Sequence, residues 1–330
     1  MSAHSLPFVP CAVQPEKLRH CRVFSGSAHP ALADEICAYL GIPRSPARIE
    51  HFSNDNIYIQ LQDSVRRKDV FIVQPLCPPA NDHLVELLLM CDAARSASAR
   101  SITAVIPYFS YARSDKKDEP RISIAARLIA DLLATAGASH LITMTLHSPQ
   151  VHGFFSVPVD HLADRYVFAH YLSGRDMSNA VVVAPDLGHA KAASKLARLL
   201  KIPMAAANKQ RLDDSTVVAS EMIGPVRGCD AIIYDDEVAT AGTVVETARL
   251  LVEHGARSMI LVCAHGLFTG PAIERLKSIE GLEEIITTNT VPIPPEKCLP
   301  NMTILSVGPI FGETIRRNLQ GDSVQSLFWY

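Results

Sequence analysis

One stretch constrains this chain more than any other: Ile232-Ile233-Tyr234-Asp235-Asp236-Glu237-Val238-Ala239-Thr240-Ala241-Gly242-Thr243. An apolar run reads as a strand that ends in two acids, and a small-residue turn then opens a helix. That passage is the building unit of a parallel sheet with helices packed on its faces. Backbone amides at such a turn point outward into a concave nest, and the positive end of the helix adds to the field. A phosphate therefore fits there. Thr240 and Thr243 can give hydroxyl donors to the same anion. Asp235 and Asp236 are placed to accept hydrogen bonds from vicinal sugar hydroxyls or to hold the water shell of a divalent metal. A plain strand–turn–helix junction with a solvated acidic pair is the bland alternative; strand, acids, small turn and helix occurring together favour a site.

The same alternation recurs along the chain. Residues 70–73 read as a buried strand, followed by an amphipathic helix over about 82–97, a strand at 102–106, a helix over 122–136 and a strand at 141–144. A second series places strands at 180–183, 231–234 and 258–263, with helices over about 190–200 and 243–254, the last stopped by Gly255. Two series imply two α/β domains with mostly parallel sheets and crossover helices, meeting near 160–170. The strict alternation of residues 57–62 reads as part of a small flag hairpin. Residues 1 to about 19 carry Pro7, Pro10 and Pro15 without periodicity and read as an irregular arm. Ligands of parallel α/β sheets sit on loops at the carboxyl ends of strands, so the chemistry is sought there.

With 330 residues, 48% hydrophobic and 20% charged, the chain has room for two such cores. A net charge of -3 and the absence of a dense basic run argue against nucleic acid as the partner. Neither a secretory leader nor an apolar stretch of bilayer length stands out, so no membrane is expected. The eight cysteines form no C-x-x-C pair and several sit in apolar runs, which suits buried free thiols in a reducing, cytoplasmic setting.

The segment from Ile232 to Thr243 resembles the phosphoribosyl pyrophosphate-binding motif of type I phosphoribosyltransferases. Further motifs narrow the resemblance to the ribose-phosphate pyrophosphokinases: residues 81–88, the loop Ile106-Pro107-Tyr108-Phe109-Ser110-Tyr111-Ala112-Arg113-Ser114-Asp115-Lys116-Lys117-Asp118, Leu146-His147-Ser148-Pro149-Gln150, residues 153–160, Pro185-Asp186-Leu187-Gly188 and Glu313-Thr314-Ile315-Arg316-Arg317. They keep the family order from about Val23 to Phe328. The resemblance implies two phosphoribosyltransferase-like domains, 1–165 and 166–317, with 318–330 packing back on the first. It implies transfer of the pyrophosphoryl group of ATP to ribose 5-phosphate with Mg²⁺, and self-association as a dimer-based hexamer. A nucleobase phosphoribosyltransferase and a non-catalytic regulatory relative are the competing readings; the first has no need of an ATP loop, the second none of Lys209 and Arg211.

Residue by residue, the resemblance puts ATP against Phe52, Asn54, Asn56, Arg113, Ser114, Asp118 and His147, with Phe52 reaching a neighbouring subunit's site. Ribose 5-phosphate falls to Asp235, Asp236, Ala239, Thr240, Ala241, Gly242 and Thr243. Metal falls to His147 and Asp186. Catalysis falls to His147 and to Lys209 and Arg211: the polar run after residue 207 reads as an exposed charged loop, and the resemblance implies that it is the family's mobile catalytic loop. In-line phosphoryl transfer asks for such positive charge rather than covalent help. The chain departs from the family's usual pattern at Ala239, where an aspartate is common, and at Ala241, Thr145, Ser114 and Asn56.

Overall fold

The computed structural model describes residues 15–211 and 217–328, which form two compact units. The first runs through Ala163 and takes in Thr290–Pro292 and the chain from Ser306 onward; the second holds Asp164–Asn289 and Ile293–Leu305.

In the first unit the elements are α1 (Pro15–Arg19), β1 (Cys21–Ser25), α2 (Pro30–Leu40), β2 (Ala47–His51), β3 (Ile57–Leu61), β4 (Asp69–Val73), α3 (Ala80–Ser96), β5 (Ser101–Ile106), α4 (Ala125–Ala136), β6 (His140–Met144) and β7 (Val159–Leu162). Five of the strands make one parallel sheet in the order β1-β4-β5-β6-β7. Four successive buried residues in β4 show a strand covered on both faces, which is why its sequence is a continuous apolar run rather than an alternation. Side chains such as Phe24, Ile72, Leu87, Met90, Ile106 and Leu133 fill the core between sheet and helices. β2 and β3 form the separate antiparallel hairpin that the alternation suggested, in register His51↔Ile57.

The second unit is built from α5 (Arg165–Leu172), β8 (Ala180–Ala184), α6 (Ala190–Leu200), β9 (Met204–Arg211), β10 (Val217–Ile223), β11 (Asp230–Val238), α7 (Gly242–Glu253), β12 (Ser258–Gly266), α8 (Ala272–Lys277), β13 (Leu282–Thr288) and β14 (Met302–Leu305). Its sheet has the order β10-β9-β8-β11-β12-β13-β14, parallel except for the β9–β10 pair. From β8 the chain moves one way to β9 and β10, then the other way to β11. That reversal opens a crevice outside the carboxyl ends of β8 and β11, where α/β sheets hold ligands.

The last long helix, α9 (Gly308–Gln320), belongs to the first unit, as does α10 (Gln325–Phe328). α9 lies against α2 at Gly312, where an added Cβ would stand 2.6 Å from the Tyr39 ring, so a glycine is required for the approach. The Tyr39 hydroxyl donates to Glu313 at 2.8 Å, and Glu313 also accepts from Arg316 at 2.7 and 2.9 Å and from Arg317 at 2.7 Å. The Glu313–Arg317 motif is thus an ion-pair cluster that fixes this helix. Lys17 reaches the Gln320 carbonyl at 3.1 Å and Asn318 reaches Asp160 at 2.7 Å, tying α9 to both ends of the unit.

Several expectations need correction. Within the supposed arm, residues 15–19 form a helical turn, too short to carry an apolar period; residues 1–14 lie outside the described part. The helix expected from residue 122 starts at Ala125, because Ser114 accepts the amides of Ala125 and Ala126 and so fixes the first turn. β11 does not stop at the acids but continues through Val238, held by parallel pairing to β12 at Asp235↔Cys263 and Glu237↔His265. The polar run at Lys209-Gln210-Arg211 is backbone of β9, paired antiparallel with β10, rather than irregular loop. Strand arms that leave a sheet lack the apolar period by which strands are recognised. The side chains of Lys209 and Arg211, and all of residues 212–216, lie outside the described part.

Candidate functional site

In the second unit the ladder between β8 and β11 ends at Val183↔Ile233. The residues beyond that pair on each strand therefore project past the ladder: Asp186 after β8, Asp235 and Asp236 on β11. Asp236 is buried and Asp235 half-buried. Burial first, then the neighbouring carboxylate of Asp236, pushes Asp235 well above the ordinary carboxylate range. Two carboxylates in one dry place resist double ionisation, so one proton is readily shared between them. Such a pair can both donate to and accept from vicinal hydroxyls.

Beyond Val238 the chain turns through Ala239 and Thr240 into α7. Ala241 takes the left-handed conformation, φ 59 and ψ 14, a cost that turns at functional sites often carry. No side chain caps α7, so the amides of its first turn are left for an anion. The Ala239 carbonyl accepts the Thr269 amide at 2.8 Å, and Arg275 of α8 donates to the Thr240 carbonyl at 3.0 Å. One guanidinium nitrogen of Arg275 comes within 3.6 Å of where a Cβ on Gly242 would stand. Arg275 was not among the residues singled out from sequence, and no local signal could have found it, since it reaches the turn from a separate helix. Thr240 and Thr243 are exposed, Gly242 half-exposed and Ala241 buried.

His189 was also missed. It stands three residues past Asp186 and its amide donates to Asp186 Oδ1 at 2.8 Å. Asp186 is exposed. Among the described residues, the group whose potential metal-ligand atoms converge is His189, Asp235 and Asp236, all within 4.8 Å. The local sequence D-L-G-H does not show that the acids of β11 lie beside it; that follows from strand order.

In the first unit, Arg113 and His147 come after β5 and β6, neighbouring parallel strands, at their carboxyl ends. Both are exposed. His147 rides on a turn in which Thr145 has φ 44, Thr145 donates its amide to the Leu162 carbonyl at 3.0 Å, and Leu146 donates to His161 Nε2 at 2.9 Å. Ser114 uses its hydroxyl within the chain, donating to the Ser123 carbonyl at 3.2 Å while accepting from Ala125 at 3.3 Å. Asp118 is exposed and pairs with Lys116 at 3.2 Å. Phe52, Asn54 and Asn56 sit together on the turn of the β2–β3 hairpin: the Phe52 amide donates to the Asn56 carbonyl at 2.8 Å, and Asn54 Oδ1 accepts the Asn56 amide at 3.3 Å. Phe52 is 54% exposed, an unusual place for a phenyl ring unless something covers it. The described cysteines are free, and burial pushes Cys91 and Cys263 up to about 12, which makes them inert. No described helix is long and apolar enough to cross a membrane.

Comparison with known proteins bears on what these parts do. Residues 21–137 match the family described as the N-terminal domain of ribose phosphate pyrophosphokinase, and residues 216–329 match the phosphoribosyl synthetase-associated domain. The ribose-phosphate pyrophosphokinase of Deinococcus radiodurans is 47% identical over 93% of this chain and 97% of its own. That of Synechococcus elongatus is 43% identical over 98% of both. The crystal structure of phosphoribosylpyrophosphate synthetase from Mycobacterium smegmatis superposes with a TM-score of 0.87 at 38% identity, covering 92% of this chain and 99% of that one.

Proposed function

The chain belongs to the ribose-phosphate pyrophosphokinase family, and on that premise we propose that Asp235, Asp236 and the amino end of α7 hold ribose 5-phosphate for pyrophosphoryl transfer. The chain is a ribose-phosphate diphosphokinase. In that reaction the anomeric oxygen of the sugar bonds to the β-phosphorus of ATP, the bond from that phosphorus to the oxygen bridging the α-phosphate breaks, and AMP leaves.

One observation carries the assignment of the sugar site: the adjacent carboxylates of Asp235 and Asp236 and an uncapped helix end lie together at the switch point of the second sheet. The first turn of α7, with Thr240 and Thr243, takes the 5-phosphate. Asp235 and Asp236 take the hydroxyls and so aim the anomeric oxygen. Ala239, Ala241 and Gly242 shape the turn, and Arg275 steadies it through the Thr240 carbonyl. Orientation of this kind supplies much of the rate in a reaction with little covalent chemistry.

On the nucleotide side, Arg113 offers its planar fork to phosphate oxygens and His147 bonds the same chain of phosphates. Phe52 stacks on the adenine while Asn54 and Asn56 read its edge, with Ser114 and Asp118 nearby in the sequence of the loop. The exposure of Phe52 supports a place in a neighbouring subunit's site, within the dimer-based hexamer that the family resemblance implies. Lys209 and Arg211 supply positive charge to the moving phosphoryl group, where it counts most in the transition state. Mg²⁺ fits an oxygen donor of this kind: Asp186 is exposed at the carboxyl end of β8, so a water-rich hard cation can reach it. Bound there, it neutralises phosphate charge. We place the protein in the cytoplasm, where its buried thiols stay reduced.

The test is a coupled assay for AMP release from ATP and ribose 5-phosphate with Mg²⁺. AMP that depends on both substrates is the expected result. No AMP with several nucleotides and metals, together with inhibition of an active relative on mixing, would replace the catalytic reading with a regulatory one.

A further inference from the structure

Three ligand-bearing side chains outside the family-derived metal pair converge in the second unit. A ring nitrogen of His189 and one carboxylate oxygen each from Asp235 and Asp236 lie within 4.8 Å of one another. They come from two elements: His189 from the start of α6, just past β8, and the acids from the overhang of β11. The convergence is therefore a product of strand order and not of local sequence.

The imidazole is held from behind. Its ring packs edge-on against Tyr234, centroids 5.2 Å apart, and the Tyr234 hydroxyl is fixed in turn by hydrogen bonds to Asp164 at 2.8 and 3.0 Å. From below, the His189 amide is anchored on Asp186. The side chain is 14% exposed. Its Nε2 is buried without a hydrogen-bond partner among the described residues, and Nδ1 stands 3.9 Å from Asp236 Oδ1, beyond hydrogen-bond reach. An unsatisfied buried ring nitrogen costs on the order of 1–3 kcal/mol. A histidine serving only as packing would avoid that cost by turning to a neighbour or by being replaced with an apolar side chain. The ring nitrogen that faces Asp236 is Nδ1, at a separation that a cation held between the two can span.

The donor set also selects. Mg²⁺ demands oxygen ligands and retains its water, whereas Mn²⁺, Co²⁺ and Zn²⁺ accept an imidazole beside carboxylates. Ligand atoms roughly 2.0–2.2 Å from such an ion stand about 3–4.4 Å apart, a spread that the three side chains reach with small adjustments.

We propose that His189, Asp235 and Asp236 form a divalent-cation site that favours a nitrogen-accepting ion of the Mn²⁺ class over Mg²⁺. The link of this site to the sugar rests on the reading of Asp235 and Asp236 given above. Two of the three ligands then face the sugar hydroxyls, so the ion completes its coordination with those hydroxyls or with water. Ion and sugar phosphate consequently strengthen each other's binding by the same factor.

The experiment uses the full chain, stripped of metal and nucleotide, and titrates it with Mn²⁺ while electron paramagnetic resonance counts the free ion. Pulsed measurements on the bound ion then look for coupling to ¹⁴N. One Mn²⁺ per chain is expected, with a ¹⁴N signal, and with affinity on the order of tenfold or more above that of competing Mg²⁺. His189→Ala removes the nitrogen signal and weakens Mn²⁺ by on the order of tenfold to a hundredfold. His189→Asn serves as a second variant if the first does not fold. Bound Mn²⁺ without nitrogen coupling in the native chain, or unchanged affinity in either folded variant, overturns the proposal. AMP release measured with Mg²⁺ on the same native sample separates the two readings. AMP without a nitrogen-coordinated ion refutes only the site; a nitrogen-coordinated ion without AMP supports the site and refutes the catalytic reading.

Discussion

Asp236 and Ala239 stand three residues apart, yet they should answer differently to substitution. Asp236 is buried on β11 and works, in the proposed reading, on the sugar hydroxyls. Asp236→Ala should weaken ribose 5-phosphate binding by about tenfold or more, roughly the value of one or two hydrogen bonds to a charged group. Ala239 contributes its carbonyl to Thr269, and in the proposed reading its side chain takes no part in binding the phosphate. Ala239→Asp should leave affinity within about threefold while changing turnover by up to on the order of a hundredfold, since a carboxylate there alters how the sugar is aimed. Titration calorimetry with ribose 5-phosphate and steady-state AMP release measure the two effects separately. Equal loss of affinity in both variants would mean that residue 239 touches the sugar directly. At this scale the sequence was legible where chemistry runs along the chain without a break, as from Asp235 to Thr243. It was not legible for His189 and Arg275, whose part depends on which strand or helix lies beside them. Nothing in D-L-G-H or in A-I-E-R-L says that β8 neighbours β11 or that α8 meets the turn.

Elements were read best where both faces are covered. β4, β8 and the start of β11 are apolar runs of the kind that parallel sheets require, and they were found with nearly their true limits. β9 and β10 were not, because their paired arm carries polar residues without a period, and β14 is short and partly exposed. The contact between α2 and α9 offers a test at this level. Glu313 is 3% exposed and Arg316 6%. Burial opposes ionisation of Glu313, but hydrogen bonds from Arg316, Arg317 and Tyr39 outweigh it and hold the carboxyl below its ordinary value. A depressed carboxyl stabilises the fold fully above the unfolded-state pKa, about 4.3, and loses that contribution as pH falls through the folded value. Glu313→Gln should cost about 3 kcal/mol at neutral pH, because it strands the Arg316 charge, though Asp322 at 3.1 Å offsets part of the loss. The gap between native and variant should narrow as pH drops below about 4. Urea unfolding measured from about pH 7 down to about pH 3 tracks that gap. A pH-independent gap would show that packing, not charge, carries the effect.

For the whole molecule, the exposed ring of Phe52 bears on assembly. If that ring completes the adenine site of another copy, an active unit needs at least two chains. Phe52→Ala and Arg113→Ala proteins, each nearly inactive alone, should regain activity when their subunits are exchanged, because some sites then receive both intact halves. For a simple dimer, random exchange gives up to about a quarter of native turnover. No recovery in mixtures proven by mass spectrometry to have exchanged would confine each site to one chain.

The return of α9 to the first unit has a consequence during synthesis. A ribosome releases the strands of the first sheet early, but the helix that covers α2 through Gly312 and Glu313 is encoded only after the second unit. At typical elongation rates the intervening stretch takes on the order of ten seconds to emerge. Throughout that interval the nascent chain holds a first unit whose α2 lacks its partner helix, while the second sheet emerges behind it. Until α9 arrives, the face of α2 that meets Gly312 and Glu313 stays uncovered, and a chain that stops before α9 leaves the first unit unfinished.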